Sequence, residues 1–414
     1  MAGLQPVRGT QDLLPEAQRR HRAVIDTARR IAERYGYQEI ATPIFEFTEV
    51  FARPIGETTD IVSKEMYSFK DRGGEEITLR PEYTAGIVRA ILSNSLTQSL
   101  PLKLFASGPM FRYERPQKGR FRQFHQIDVE LIGVAQPLGD VEAIALGAEI
   151  LDALGVLKRT VLELNTLGDT ESRLAYREAL IAYYTNRRDG LSEDSLRRLE
   201  KNPLRILDSK DEGDKRINAD APPFEEYLTV AAQEFFAKVR AGLDALGIPY
   251  SINPRLVRGL DYYCHTAFEF VTTDLGSQGT VLGGGRYDGL MGVMGGPETP
   301  GVGWAAGIER LALLIDEPAL PARPISLVPL GEAGEAMALK LAQSLRRAGF
   351  TIDLGYSGNI KRRLQRADKI KARAAVILGD NEIQRQVAAL RDLDTGEQTE
   401  IPLAALEDRL APFR

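Results

Sequence analysis

The chain has 414 residues, 43% hydrophobic and 27% charged, with a formal net charge of -5; this composition fits a globular protein of two or three domains and leaves any nucleic-acid contact to local basic patches. One cysteine, Cys264, excludes a disulfide framework and a Cys-rich zinc site, and His21, His125 and His265 show no metal-ligand spacing. Neither an apolar run of the roughly 20 residues that cross a membrane nor the apolar centre of a signal peptide is present, so the expectation is a reducing cytoplasmic compartment and no membrane partner.

Val24, Ile25, Ala28, Ile31, Ala32 and Tyr35 recur at helical spacing, and Pro15 suits a first turn, so residues 15–35 are expected to form an amphipathic helix. "YGYQEIATPIFEF" then turns into a strand. Residues 76–92 predict a strand and a helix starting near Pro81. Residues 103–114 and 121–133 predict two strands joined by "RPQKGR", a long-loop hairpin. The stretch 165–250 is helical and heavily charged, and predicts an inserted module at roughly 170–245. Strands and glycines return in "RLVRGLDYYCHTAFEFV", with Arg258 just before a strand and Tyr263 within it, and in "TVLGGGRYDGL". "GVGWAAGIERLALLI" reads as a Gly-rich approach to an apolar helix. Three prolines in 316–324 mark a linker, after which strands and helices alternate as in a small α/β domain, with a helix around 359–372.

The hairpin sequence "FRYERPQKGRFRQFHQ", residues 111–126, sets Arg112, Arg115, Lys118, Arg120 and Arg122 against the single acid Glu114. Alternate residues of a strand share a face. Phe121, Gln123, His125, Ile127, Val129 and Leu131 make a mostly apolar face; Arg122, Phe124, Gln126, Asp128 and Glu130 make the other. A solvated sheet face is the usual reading of such alternation. A ring amid the polar residues, beside a loop whose charge is nearly all of one sign, instead fits a polyanion carrying a flat ring, such as a nucleotide. No phosphate-binding loop or dinucleotide fingerprint occurs. Glu82 and Thr84 read as an ordinary helix start, and Cys264 and His265 as structural. Near the end, Arg362, Arg366, Lys369 and Arg373 follow one helical face, and residues 361–373 hold seven cations against Asp368. An RNA-facing surface therefore competes with a solvated basic face.

Taken in order, these segments resemble histidyl-tRNA synthetases, a family of class II aminoacyl-tRNA synthetases. "RYGYQEIATPIFE", with Pro43, is similar to class II motif 1; "GPMFRYERPQKGRFRQFHQIDVELIG" is similar to motif 2; "GVGWAAGIERL", with Arg310, is similar to motif 3. "LVRGLDYY" and "LGGGRYDGL" resemble the two histidine-specific signatures, and "RGTQDLLP" the N-terminal one. The sequence departs from the family at Tyr113, where many members have histidine, and at Asp128, where small residues are common.

The resemblance implies an α+β protein: a class II antiparallel-sheet catalytic core over 1–320, carrying the helical insertion, and a C-terminal α/β anticodon-binding domain over 325–414. It implies ATP with Mg2+, L-histidine, and a histidine tRNA held at its acceptor end and anticodon, by a homodimer formed through motif 1. Arg112 and Arg258 would stand at the α-phosphate as catalytic residues. Glu114, Arg120, Phe124 and Arg310 would join Arg112 on ATP. Glu82, Thr84, Gln126, Glu130, Tyr263 and Tyr287 would line the histidine pocket with Arg112 and Arg258. Arg115, Gln117, Lys118, Arg122, Arg362 and Arg366 would face tRNA, and no metal ligands are assigned on the protein. Two other readings are a non-catalytic histidine-sensing regulatory paralogue of an ATP phosphoribosyltransferase, which typically lacks the C-terminal domain and erodes the motif arginines, and a tRNA-binding protein without catalysis.

Overall fold

The computed structural model describes all residues except 1–3, 57, 58, 60, 118, 208, 258, 259, 261, 277 and 278, and the side chain of 201. The chain divides into two units, Met1–Pro318 and Ala319–Arg414.

The strands of the first unit are β1 (Gln38–Glu39), β2 (Phe45–Phe47), β3 (Tyr67–Lys70), β4 (Glu76–Leu79), β5 (Leu102–Phe111), β6 (Gln123–Ile132), β7 (Val161–Thr166), β8 (Ser251–Ile252), β9 (Cys264–Val271), β10 (Thr280–Arg286) and β11 (Gly301–Gly307). Eight of them form one sheet in the order β1-β5-β6-β11-β10-β9-β7-β8. Its central pairs are antiparallel, and only the edge pairs β1/β5 and β7/β8 are parallel. A small second sheet has the order β2-β4-β3.

One face of the large sheet is closed by the helices Pro15–Arg34, Pro137–Ala153 and Val230–Ala245. Val24 and Ile31, Ile144 and Leu151, and Val239 and Leu243 from these helices meet Ile127, Val129 and Leu131 of β6 in a single apolar core. Removing that surface from water is the main force holding helices to sheet. It also fixes register, because a one-residue slip of β6 would put its polar residues into the core. "GVGWAAG" is a strand rather than a helix approach: Val302, Trp304 and Ala306 alternate into the same core, and the helix begins only at Ile308. Tyr263, expected within a strand, stands just before β9. Between β7 and β8 run the helices Thr170–Thr185, Glu193–Lys201 and Glu212–Asn218, around their own small core of Tyr176, Leu180, Tyr184, Leu199 and Ile206.

The second unit has β12 (Ile325–Pro329), β13 (Ile352–Leu354), β14 (Ala374–Leu378), β15 (Val387–Asp392) and β16 (Gln398–Pro402), in the order β13-β12-β14-β15-β16. β12 runs parallel to β13 and β14, and the other pairs are antiparallel. The basic helix is shorter than expected, Ile360–Lys369. Lys371 takes the left-handed conformation with φ 55, and Ala374 already belongs to β14. Arg373 is therefore off the helical face to which the spacing assigned it.

Candidate active site

The polar face of β6 forms the floor of a cavity of about 280 Å³. Antiparallel register sets small residues beside each polar one: Asp128 lies between Ala106 of β5 and Ala305 of β11, and Gln126 between Gly108 and Gly307. Glu130 lies opposite Gly303, which in turn faces Gly285 of β10. The two glycines are required by close approach. A Cβ on Gly285 would stand 2.9 Å from the Tyr263 ring, and one on Gly303 would overlap the Glu130 carboxylate.

At one end the side chains are mostly acceptors. Glu82 precedes the helix Thr84–Ser93, and one of its oxygens accepts the Ala85 N–H at 2.9 Å. Thr84 Oγ1 donates to Glu130 Oε1 at 2.6 Å, and the Tyr287 hydroxyl donates to Glu130 Oε2. Burial pushes Glu130 up to about 8, although both hydroxyls pull the other way. Burial also raises Glu82. The Tyr263 and Tyr287 rings meet edge to face at 6.5 Å. Glu130 and Tyr287 are buried behind the cavity wall, while Glu82, Thr84, Gln126 and Tyr263 line it.

At the other end stand Arg112, Arg120 and Arg310 with Phe124. Arg112 follows β5, donates from Nε to the Pro81 carbonyl at 2.9 Å, and holds its guanidinium 5.3 Å from the Phe124 ring centre. Burial lowers Arg112, opposed by Glu65 and Glu82; burial also lowers Arg310, reinforced by Arg120 and Arg112. Arg112 thus helps lower both Arg120 and Arg310, and an anion among the three guanidiniums would be favoured. Arg310 Nη1 donates to the Thr280 carbonyl at 2.6 Å, and Arg120 is paired with Glu114. A polyphosphate and a flat ring fit this end; its carboxylates Glu114 and Glu269 are hard oxygen donors of the kind Mg2+ takes.

The family profile described as Histidyl-tRNA synthetase matches residues 9–311. The chain belongs to the histidyl-tRNA synthetase family. A second profile, Anticodon binding domain, matches residues 325–411. The chain is 61% identical over 415 residues to the histidine–tRNA ligase of Rhodospirillum rubrum, covering 100% of both chains. Against that of Gluconacetobacter diazotrophicus it is 59% identical over 411 residues, 99% of each. Apo histidyl-tRNA synthetase of S. aureus has the same fold with a TM-score of 0.83 at 36% identity, covering 98% of this chain and 99% of that one.

Of the residues that the family resemblance singled out, Glu82, Thr84, Arg112, Glu114, Arg120, Phe124, Gln126, Tyr263 and Arg310 share the cavity wall. Arg258 and Lys118 lie outside the described residues. Arg115 and Gln117 are exposed on the hairpin loop. Arg122 is tied down: its guanidinium lies 3.7 Å from the Tyr113 ring centre and its Nε donates to the Glu114 carbonyl at 3.2 Å. In the C-terminal unit three of the seven cations of the basic run are met by acids from other elements, while Lys361, Arg362, Lys369 and Lys371 stay exposed. Arg363 is buried against Glu335, Arg366 pairs with Asp353 at 2.8 Å, and Arg373 pairs with Asp394. Arg362 is exposed and has no ion pair among the described residues.

Several contributors were not singled out from sequence. Arg80, buried at 4% exposure, braces the β5 end by donating to the carbonyls of Thr42 at 2.8 Å and Pro109 at 2.9 Å and to the Tyr83 hydroxyl at 2.9 Å. Glu309 accepts from the backbone N–H of His125 at 2.9 Å and meets its Nδ1 at 2.8 Å, which fixes the start of the helix that carries Arg310. His21 joins them, edge to face with His125 at 5.4 Å. His21 and His125, unrelated by sequence spacing, thus form a cluster with Glu309, whose carboxylate is committed to His125. Only the small residues repeated on β10 and β11 hinted that this face leaves room for a ligand. Cys264 is pushed up to about 12 by burial and stays an unreactive thiol.

Proposed function

We propose that this protein ligates L-histidine to its cognate tRNA by way of histidyl-adenylate. The histidine carboxylate attacks the α-phosphorus of ATP, the bond to the bridging oxygen breaks, and pyrophosphate leaves. The terminal ribose hydroxyl of tRNA then attacks the activated carbonyl, and AMP leaves. The single observation carrying this reading is that one cavity holds three guanidiniums and an aromatic ring at one end and buried acceptors at the other. The ionised carboxylate needs no general base; it needs positioning and neutralisation of growing phosphate charge. Arg112 is placed for both, between Phe124 and Glu82. Phe124 and Arg310 take the adenine ring, Arg120 leaves Glu114 for the terminal phosphate, and Glu114 turns to the adenine amino group. Mg2+, when bound with ATP, screens phosphate charge. Tyr263 on the cavity wall reads one imidazole nitrogen, and Glu130, held by Tyr287, reads the other through the Thr84 hydroxyl that donates to it; a substrate lacking those groups would leave them buried and unpaired.

Arg115 and Gln117 present the hairpin loop to the tRNA acceptor end, and the unit from 319 onward binds the anticodon. Ile44, Phe45, Phe47 and Phe69 are exposed on or beside β2 and β3, an apolar face suited to a second copy of the chain, so the working form in the cytoplasm is a homodimer. The regulatory-paralogue reading is not favoured: Arg112 and Arg310 are in place and the anticodon-binding unit is present.

Exchange of pyrophosphate into ATP, run with each of the twenty amino acids and accompanied by light scattering for subunit number, tests the reading. Only histidine is expected to stimulate exchange, and only with Mg2+. No stimulation by any amino acid would return the chain to a binding role, and stimulation by another would overturn the pocket assignment.

A further inference from the structure

Among the described residues on the cavity wall, three buried side-chain atoms have no hydrogen-bond partner: Glu82 Oε2, Gln126 Oε1 and Asp128 Oδ2. All three accept. A phosphate or carboxylate has no hydrogens to give them, an imidazole nitrogen gives one, and an ammonium gives three. Glu82 and Gln126 already belong to the histidine pocket. Asp128, 2% exposed and on the same polar face of β6, has no assigned role and departs from the small residues common there. Its sheet neighbours Ala106 and Ala305 are too short to cover it. Arg80, a buried cation whose charge acts on Asp128, spends its donors on Thr42, Pro109 and Tyr83.

We propose that Asp128 is a substrate-positioning residue whose carboxylate, with Glu82 and Gln126, holds the α-ammonium group of the amino acid. The assignment rests on the function proposed above. Burial, reinforced by Glu130 and Glu82 and opposed by Arg80 and Arg112, raises Asp128 well above its ordinary value. A cation at its orphaned oxygen restores the ionised form. The pocket thus presents two carboxylates to the ammonium instead of one, and this second charge anchors the α-carbon while Arg112 holds the carboxylate.

The experiment compares three ligands on the wild-type protein and on Asp128→Asn: histidine; histidinol, which keeps ammonium and ring; and imidazolepropionate, which keeps ring and carboxylate but lacks the ammonium. Binding of all three is read by calorimetry, and in pyrophosphate exchange histidine is read as the substrate and the two analogues as inhibitors. Asp128→Asn should weaken histidine and histidinol by about 10- to 100-fold, the worth of a charged hydrogen bond, and leave imidazolepropionate unchanged. An equal loss for all three, or no loss for histidine, overturns the assignment. If Asp128→Asn does not fold, Asp128→Gly carries the same series. A wild-type protein that binds no histidine refutes the proposed function itself, whereas a uniform loss on a histidine-binding wild type refutes only the role of Asp128.

Discussion

Removing the Tyr287 hydroxyl tests how the acceptor end of the cavity is built. Glu130 is 1% exposed, and its oxygens take one hydroxyl each, from Thr84 at 2.6 Å and from Tyr287. Tyr287→Phe keeps the ring and deletes one donor. A hydrogen bond to a charged group contributes about 1.5–3 kcal/mol, so the carboxyl, already at about 8, should rise by a further ~1–2 units. The folded value lies above the unfolded 4.5, so the contribution to stability is fully present below 4.5 and is lost as pH rises to about 8. The shift from 4.5 to about 8 is about 3.5 units, which corresponds to roughly 5 kcal/mol at most. Trp304, the only tryptophan, is 2% exposed in the same unit, so its fluorescence in urea reports the relevant transition. Between pH 5 and 9 the wild type should lose stability more steeply than Glu130→Gln, and in Tyr287→Phe the loss should extend to higher pH. The Michaelis constant for histidine in pyrophosphate exchange should rise on the order of 10-fold or more in Tyr287→Phe, because the imidazole reader loses its support. Equal pH slopes in wild type and Glu130→Gln would falsify the view that Glu130 is a strained buried carboxyl.

Arg286 and Asp140 are both fully buried; Arg286 Nε lies 3.0 Å from Asp140 Oδ2, and its Nη1 also donates to the Val134 carbonyl at 2.9 Å. Arg286→Met should cost about 3–5 kcal/mol in urea unfolding by stranding Asp140, and Asp140→Asn added to it should recover part of that; full additivity would contradict a direct pair. In tRNA binding, Arg362→Ala should weaken affinity and flatten the salt slope by about 0.7–0.9, while Arg366→Ala, whose guanidinium is held by Asp353, should change both less. The reverse order would show that the Asp353 pair opens to tRNA.

Local spacing determined much of this protein. The alternation of β6 already separated Ile127, Val129 and Leu131 from Phe124, Gln126, Asp128 and Glu130, because a strand's period is two and one face must leave water. The ring and cations of the motif 2 hairpin marked the nucleotide end for the same reason: they lie within one short segment. What only the tertiary structure decided involves partners far apart in the chain. Glu130 meets Thr84 and Tyr287 across separations of 46 and 157 residues, and His125 meets Glu309 across 184. The spacing of the seven-cation run could not show that Glu335, Asp353 and Asp394 come from other elements against Arg363, Arg366 and Arg373 and leave the other four exposed. The orphaned oxygens of Glu82, Gln126 and Asp128 were equally invisible, since an unsatisfied acceptor is defined by everything that fails to reach it. Hydrogen bonds and ion pairs act over a few ångströms, and only the pairing of strands and the packing of helices bring groups so far apart in sequence within that range.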